Sequence, residues 1–376
     1  MKKEKQIRIL HITGGMNMGG IENFIMNIYR NIDRTKIQFD FLIHQDEKQV
    51  FEDEILSLGG KVYRIPSFGK LGHFGYLKIL HNFFLEHSQY KIVHSHYNAV
   101  SGIILREAKR CSIKNRIAHS HTAYPKYRFI ESIYKNYSKY LIKLNATRRF
   151  ACSKEAGNWL YGKNKRFEII NNGIEIEKYI FDENIRNNKR KEMNILENEF
   201  CLISVGRLSK EKNFEFLLDI MKIIQEKSNK IKLCIAGEGE EDKFLKSKIK
   251  NENIKNIEFL GVRKDIKEIY NAMDLMVFPS LFEGLGIVAI EAQCNGLKVL
   301  VSENIPKEAD LGLGFFKVLN LDNKTSWINE IIKESKTYRN RKNKEKIDEI
   351  LESDYNAIKI AKKLEDIYLK MRKDDE

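Results

Sequence analysis

Residues 274–302 read DLMVFPSLFEGLGIVAIEAQCNGLKVLVS. The apolar run 274–279 is short, as in a strand buried on both faces, and Pro279 stops it. A turn follows through Ser280, Leu281, Phe282, Glu283, Gly284, Leu285 and Gly286. A helical pattern over 285–294 and a second strand over 298–302 complete a strand–helix–strand unit, the building block of a parallel sheet. Gly284 and Gly286 free the turn to present its N–H groups, with the helix N-terminus, to an anion. Glu283 and Glu291 are eight residues apart. On an ideal helix that spacing separates them by about 12 Å along the axis and ~80° in azimuth, so they can line one wall of a groove. Glu291 falls among Ile287, Val288, Ile290 and Cys294, where a carboxylate needs a donor such as a hydroxyl or costs several kcal/mol. The plain alternative is an amphipathic helix with one exposed glutamate.

The same rhythm extends outward. In the second half, strands are expected at 200–205, 232–236, 257–260, 274–279, 298–302 and 315–319. Helices separate them at 214–227, 242–250, 265–273, 285–294 and 327–336. In the first half, strands are expected at 8–13, 39–44, 61–65, 91–96, 116–121, 149–153 and 167–171. Helical patterns lie between them at 21–31, 52–58, 76–86, 99–109, 127–146 and 154–161. The class is α/β, with two doubly wound domains at 1–180 and 200–343. The polar stretch 181–199 reads as a charged, partly helical linker suited to a hinge. Residues 344–376 carry helical spacing, and two helices there could pack back on the first domain.

At 376 residues, 42% hydrophobic and 31% charged, the chain has the composition of a globular protein, not of a disordered or collagen-like one. No apolar run reaches the 18 or so residues of a membrane span, and the basic N-terminal stretch is too short in its apolar part for a signal peptide. Five scattered cysteines without C-x-x-C argue against disulfides or a zinc cluster and for a reducing, cytoplasmic setting. The charge is lopsided. Residues 1–200 hold 34 Lys+Arg against 21 Asp+Glu, whereas 201–376 hold 32 against 31. Residues 101–150 alone carry 12 basic and 2 acidic side chains, which suggests nucleic acid, anionic lipid or phosphorylated substrate as partner.

In such sheets ligands bind beyond the carboxyl ends of the strands, so the residues after each strand matter most. After the first strand come Gly14, Gly15, Gly19 and Gly20, then a helix, a turn that lets backbone approach an anion closely. The spacing is not G-x-G-x-x-G, so no dinucleotide fingerprint is present. Two strands end in H-S-H, at His94–His96 and His119–His121. No carboxylate or cysteine completes a metal shell, so His96 and His121 are read as pointing into a crevice, with core histidines as the alternative. The second half opens with VGRLSKEKN, whose Arg207 and Lys212 beside a helix start suit a diphosphate.

Glu283 and Glu291 form the E-x7-E pattern of retaining glycosyltransferases of the GT-B type, in the setting P-S-x-x-E-G-x-G. With M-x-x-G-G-x-E near the start, G-R-L-x-x-x-K-N, N-N-G-I at 171–174 and A-G-E-G-E at 236–240, nearly the whole chain resembles glycosyltransferase family 4. The likeness is strongest to members that build capsular and exopolysaccharides. It implies two Rossmann-like domains facing each other across a cleft, the first for the acceptor and the second for a nucleotide sugar, UDP-linked.

The resemblance also implies roles. Arg207 and Lys212 bind the donor diphosphate, Glu291 accepts from the ribose hydroxyls, and Glu283 contacts the sugar hydroxyls, with Gly284, Leu285 and Gly286 beside it. Gly19 and Gly20 approach the phosphate or sugar from the other domain. His121 contacts the sugar near the anomeric carbon, and His96 lies on the acceptor side. Val262 and Arg263 border the base. Where many relatives carry Asp after N-G-I this chain has Glu175, to which no role is assigned.

The expected reaction is retaining transfer of a hexosyl or N-acetylhexosaminyl unit to a lipid-linked oligosaccharide, with attack on the face from which the diphosphate departs. The donor is a substrate. No D-x-D occurs, so neither cofactor nor bridging metal is expected. The interleaved basic and aromatic residues of 124–149 suit docking on an anionic membrane, at the inner face of the plasma membrane. A GT-B-fold nucleotide-sugar epimerase is the first alternative. A basic nucleic-acid-binding protein is the second, without a recognition motif to support it.

Overall fold

The computed structural model describes residues 6–17, 19–121, 129–163, 165–337, 341 and 344–373. The chain divides into two compact units, Met1–Ile174 with Asp354–Glu376, and Glu175–Ser353.

The first unit is built on seven strands: β1 (Ile7–Ile12), β2 (Ile37–Ile43), β3 (Val62–Arg64), β4 (Ile92–Ser95), β5 (Asn115–Ser120), β6 (Arg148–Ala151) and β7 (Glu168–Ile169). They pair in parallel in the order β3-β2-β1-β4-β5-β6-β7. Because side chains alternate along a strand, neighbouring residues feed two cores. Ile9, Phe39, Phe41, Ile92, Ile117 and Phe150 meet helices Gly20–Asn31 and Ala357–Lys373. Leu10, Ile12, Leu42, Val93 and Ala118 meet Tyr76, Leu80 and Phe84 of helix Phe68–Glu86 and Ile104 and Leu105 of helix Ser101–Arg110. Strand order reverses between β1 and β4, which places the glycine loop after β1 and His96 after β4 at the switch point.

The second unit carries β8 (Phe200–Val205), β9 (Ile231–Ala236), β10 (Ile257–Gly261), β11 (Leu275–Phe278), β12 (Lys298–Ser302) and β13 (Phe316–Leu319), all parallel, in the order β10-β9-β8-β11-β12-β13. Here the reversal falls between β8 and β11, the two strands that precede Arg207 and Glu283.

Three boundaries differ from the sequence reading. The first unit ends at Ile174 and not at 180. The 181–199 stretch belongs to the second unit. Its helix Glu183–Glu192, capped by Asp182, packs within the second unit, where Arg186 and Arg190 donate to the carbonyls ending helix Ile266–Ala272 and pair with Asp274. Charges that look solvated in sequence are thus spent on a helix C-terminus. The tail is divided: Lys344–Leu351 stays with the second unit, whereas 354–376 belongs to the first, where the Ile174 amide donates to the Tyr355 carbonyl at 2.8 Å.

Candidate active site

In the second unit two loops leave adjacent strands and are stitched together. The Leu281 amide donates to the Glu211 carbonyl at 2.7 Å, and Asn213 Nδ2 to the Pro279 carbonyl at 3.2 Å. Asn213 sits at φ 55°, a left-handed turn that asparagine tolerates. Across this seam Lys212 Nζ donates to Glu283 Oε1, which also accepts from Ser280 Oγ at 3.1 Å. Both charged side chains are mostly covered, and Lys212 Nζ lies 5.2 Å from the Phe278 ring centroid. The sequence assigns the two residues separate duties; the structure makes them one ion pair.

Arg207 stands on the same loop and is exposed, bridged to Glu240 at 3.0 Å. The A-G-E-G-E segment cradles this loop closely: a Cβ on Gly237 (φ 136°) would lie 1.9 Å from the Gly206 carbonyl oxygen. Gly286 (φ 83°) caps helix Ile287–Cys294 in the left-handed region, as the turn requires, and Leu285 before it is buried.

Glu291 finds the hydroxyls that its position demands. Tyr179 OH donates to Oε1 at 2.9 Å and Tyr270 OH to Oε2 at 3.1 Å. Neither tyrosine is singled out in the sequence, although the need for donors to a covered carboxylate is the signal that points to such partners. Burial pushes the Glu291 carboxyl up to about 7 against the lowering pull of the two hydroxyls and Lys267. Between the ordinary 4.5 and about 7 the folded chain therefore holds a proton that the unfolded chain has released, and stability falls as pH rises through that window. In Glu291→Gln this component is gone. The melting temperature of the native chain should fall relative to that of the variant between about pH 5 and pH 7; a difference that stays constant over that range refutes the assignment.

Val262, just past β10, is exposed, and Arg263 is engaged by Asp265 at 2.6 Å. In the first unit, Gly19 precedes helix Gly20–Asn31 in extended backbone, with the Glu22 carboxylate folded against it, and Gly20 faces open space. His96 and His121 are 2% and 6% exposed, with His96 Nδ1 and His121 Nε2 hydrogen-bonded at 2.8 Å. In sequence each H-S-H lacks any sign of what covers it. The covering ring of Phe24 comes from another element, 5.5 Å from His121.

Among the described residues, three groups bring potential metal ligands within 4.8 Å: His11, His94 and His96; His96, His119 and His121; and His81, Glu107 and Cys111. The histidine groups contain no carboxylate to balance a buried divalent charge. In the third, His81 Nδ1 hydrogen-bonds Glu107 at 2.6 Å.

No helix among the described residues is long and apolar enough to cross a membrane. Of the basic aromatic stretch, 122–128 lie outside the described residues. In helix Phe129–Asn145, Tyr137, Tyr140 and Leu144 are exposed beside Lys143, whereas Lys139 is turned over the Trp159 ring.

Residues 18–178 match the family model described as Glycosyltransferase Family 4, and residues 185–311 the model described as Glycosyl transferases group 1. EpsF of Bacillus subtilis (strain 168), which carries the name of a glycosyltransferase, is 31% identical over 323 residues, 84% of each chain. The UDP-Gal:α-D-GlcNAc-diphosphoundecaprenol α-1,3-galactosyltransferase of Escherichia coli is 29% identical over 314 residues, covering 76% of this chain and 77% of that one. Among solved structures, Anabaena HepE in complex with UDP and glucose superposes with a TM-score of 0.76 at 17% identity, over 96% of this chain and 99% of that one. That likeness carries the fold, two parallel-sheet α/β domains of the GT-B kind. Neither the epimerase nor the nucleic-acid reading gains support.

Proposed function

Because the chain belongs to glycosyltransferase family 4, we propose that it moves a hexosyl or N-acetylhexosaminyl unit from a UDP-sugar to a lipid-linked oligosaccharide in capsular or exopolysaccharide assembly, with retention of configuration. The observation that carries this reading is the seam at the switch point of the second sheet. There a covered cation, Lys212, and a covered carboxylate, Glu283, are held against each other beside an exposed Arg207 and the start of helix Ile287–Cys294. As the sugar–phosphate bond breaks, negative charge grows on the leaving diphosphate. Lys212, Arg207 and the first-turn amides of that helix supply positive potential fixed in advance. Glu283, tied to Lys212 and Ser280, orients sugar hydroxyls and is not free to attack the anomeric carbon. A covalent sugar adduct on Glu283 would count against attack from the departing face. Glu291, between two tyrosines, takes the ribose hydroxyls. Gly19, Gly20 and His121 serve the donor from the first unit, His96 the acceptor side, and Val262 and Arg263 the base.

The UDP-linked donor and lipid-linked acceptor draw support from the Escherichia coli relative's name, and UDP also from HepE. A thermal-shift screen of nucleotide sugars tests the donor: a ligand at 100 times its Kd stabilises by about 2.7 kcal/mol. A UDP-sugar should raise Tm in the native chain and not in Arg207→Ala. An equal rise in both removes the diphosphate assignment. No metal or other cofactor is invoked, and transfer should persist in excess chelator.

The exposed Tyr137, Tyr140 and Leu144 with Lys143 form an apolar and basic stripe that would lie on the inner face of the plasma membrane, where the acceptor resides. Sedimentation with anionic vesicles should bring the protein down and neutral vesicles should not; equal behaviour dismisses the stripe as a membrane contact.

A further inference from the structure

Five histidines continue one face of the first sheet to its carboxyl edge. His11 follows Ile7 and Ile9 on β1, His94 and His96 follow Ile92 on or just after β4, and His119 and His121 follow Ile117 on or just after β5. All are buried, and His121 is the least covered of the five. The proposed reaction uses His121 for the donor and His96 on the acceptor side, yet His121 is not an isolated ring. Its Nε2 is 2.8 Å from His96 Nδ1, and His96 Nε2 is 2.9 Å from His11 Nδ1.

We propose that His11, His96 and His121 form one tautomeric unit, in which His11 and His96 are positioning residues that hold His121 as an Nδ1–H donor. On the reading above, that His121 meets the donor sugar, it then greets a substrate oxygen as a hydrogen-bond donor and not as a base.

The argument is one of counting protons. A neutral imidazole has one donating and one accepting nitrogen. Two ring-to-ring hydrogen bonds join three rings, so fixing the proton on one fixes it on all. Only two arrangements exist. In the first, every ring carries its proton on Nδ1: His11 donates to His96, His96 donates to His121, and His121 Nδ1–H is left at the sheet edge. In the second, every proton is on Nε2, the bonds run backward, and His11 Nε2–H is left at the far end. That far end is closed off between the Phe39 and His94 rings. His11 Nε2 is buried without a hydrogen-bond partner among the described residues, and the Phe39 ring centroid is 4.1 Å from that of His11. An N–H stranded there loses its water and gains nothing. At the near end His121 Nδ1 is also buried without a hydrogen-bond partner among the described residues, but there the polar Asn172 side chain, whose buried Oδ1 likewise lacks a donor, acts on the His121 ring as an acceptor does. The first arrangement turns an N–H toward this oxygen until a substrate oxygen takes its place; the second sets lone pair against lone pair. Burial disfavours the charged form of each of the three rings, so the neutral count holds near pH 7.

The test uses the full chain with ¹⁵N-labelled histidine and two-bond ¹H–¹⁵N correlations, without substrate. His11, His96 and His121 should all show Nδ1-protonated patterns. His96→Gln retains an acceptor and a donor in the middle of the unit, whereas His96→Phe retains the ring volume with neither. In the Phe variant, His121 should leave the single Nδ1–H form, and kcat should fall about 10–100-fold, the range for loss of an orienting partner, with donor KM unchanged. The Gln variant should restore the His121 pattern. Nε2 protonation of His121 in the native chain overturns the inference, as does an unaltered His121 pattern in a folded His96→Phe. Stoichiometric zinc or nickel in the purified protein also overturns it, because ligation would consume the lone pairs of the unit. Should His96→Phe not fold, the native spectrum decides alone. Because that spectrum needs no substrate, an Nδ1–H pattern in a chain that transfers sugar from no UDP donor defeats the functional reading and leaves the tautomeric unit standing.

Discussion

Lys212→Met should lower kcat for glycosyl transfer by about 10²–10³-fold, the cost of removing one group aimed at charge that develops in the transition state. Methionine keeps the aliphatic stem against Phe278, so the loss reports the ammonium group and not the packing. Glu283 retains the Ser280 hydroxyl, so the fold survives. Lys212 has two separable duties, holding Glu283 and meeting the diphosphate, and a double-mutant cycle divides them. If Lys212 serves only to hold Glu283, Lys212→Met with Glu283→Gln is no slower than Glu283→Gln alone. If it also meets the diphosphate, the double variant is slower than either single one, and its affinity for UDP, measured by calorimetry, drops with it. Turnover within tenfold of the native value in Lys212→Met removes the seam from the reaction.

Ending the chain at residue 353 should abolish folding of the first unit. Helix Ala357–Lys373 buries Ile360, Leu364, Ile367, Tyr368 and Met371 against Phe39, Ile25 and their neighbours. At roughly 1.5–3 kcal/mol for each large apolar side chain, the loss is about 7–15 kcal/mol, the whole stability of an ordinary domain. The truncated protein should aggregate on expression or show an open first unit by hydrogen exchange, with the second unit protected. A milder probe is Tyr368→Phe, which deprives buried His94 of its 2.7 Å hydrogen bond and should cost about 1–3 kcal/mol in chemical denaturation. A soluble, cooperatively folding truncation would show that the returning helix is dispensable.

The alternation of strands and helices was legible because each βαβ turn carries its own punctuation: Pro279, Gly284 and Gly286 mark one strand end and one helix start without outside help. Glu291 was legible as a carboxylate in need of donors for the same local reason. What supplies those donors was not, because Tyr179 and Tyr270 lie 112 and 21 residues away in the chain. The Lys212–Glu283 pair was hidden similarly: each residue reads as a ligand contact until the fold sets them together across 71 positions. Arg186 and Arg190 misled in the opposite sense. Composition counts them as solvated charge, and only the helix end they cap, more than 80 residues on, gives them a structural use. His96 and His121 were visible as strand-end residues. Their covering and their chain to His11 depend on strand order, which no local pattern encodes.

The chain starts in one unit, builds the whole of the other, and comes back with Asp354–Glu376 to finish the first. On the ribosome, then, the sheet of the first unit must wait for helix Ala357–Lys373, while the second unit can close before that helix is made. A chain that lacks Asp354–Glu376 therefore carries a complete second unit and a first unit with bare apolar strands. It is in this interval, between translation of the two halves of one core, that chaperone capture and quality-control proteolysis will find their target.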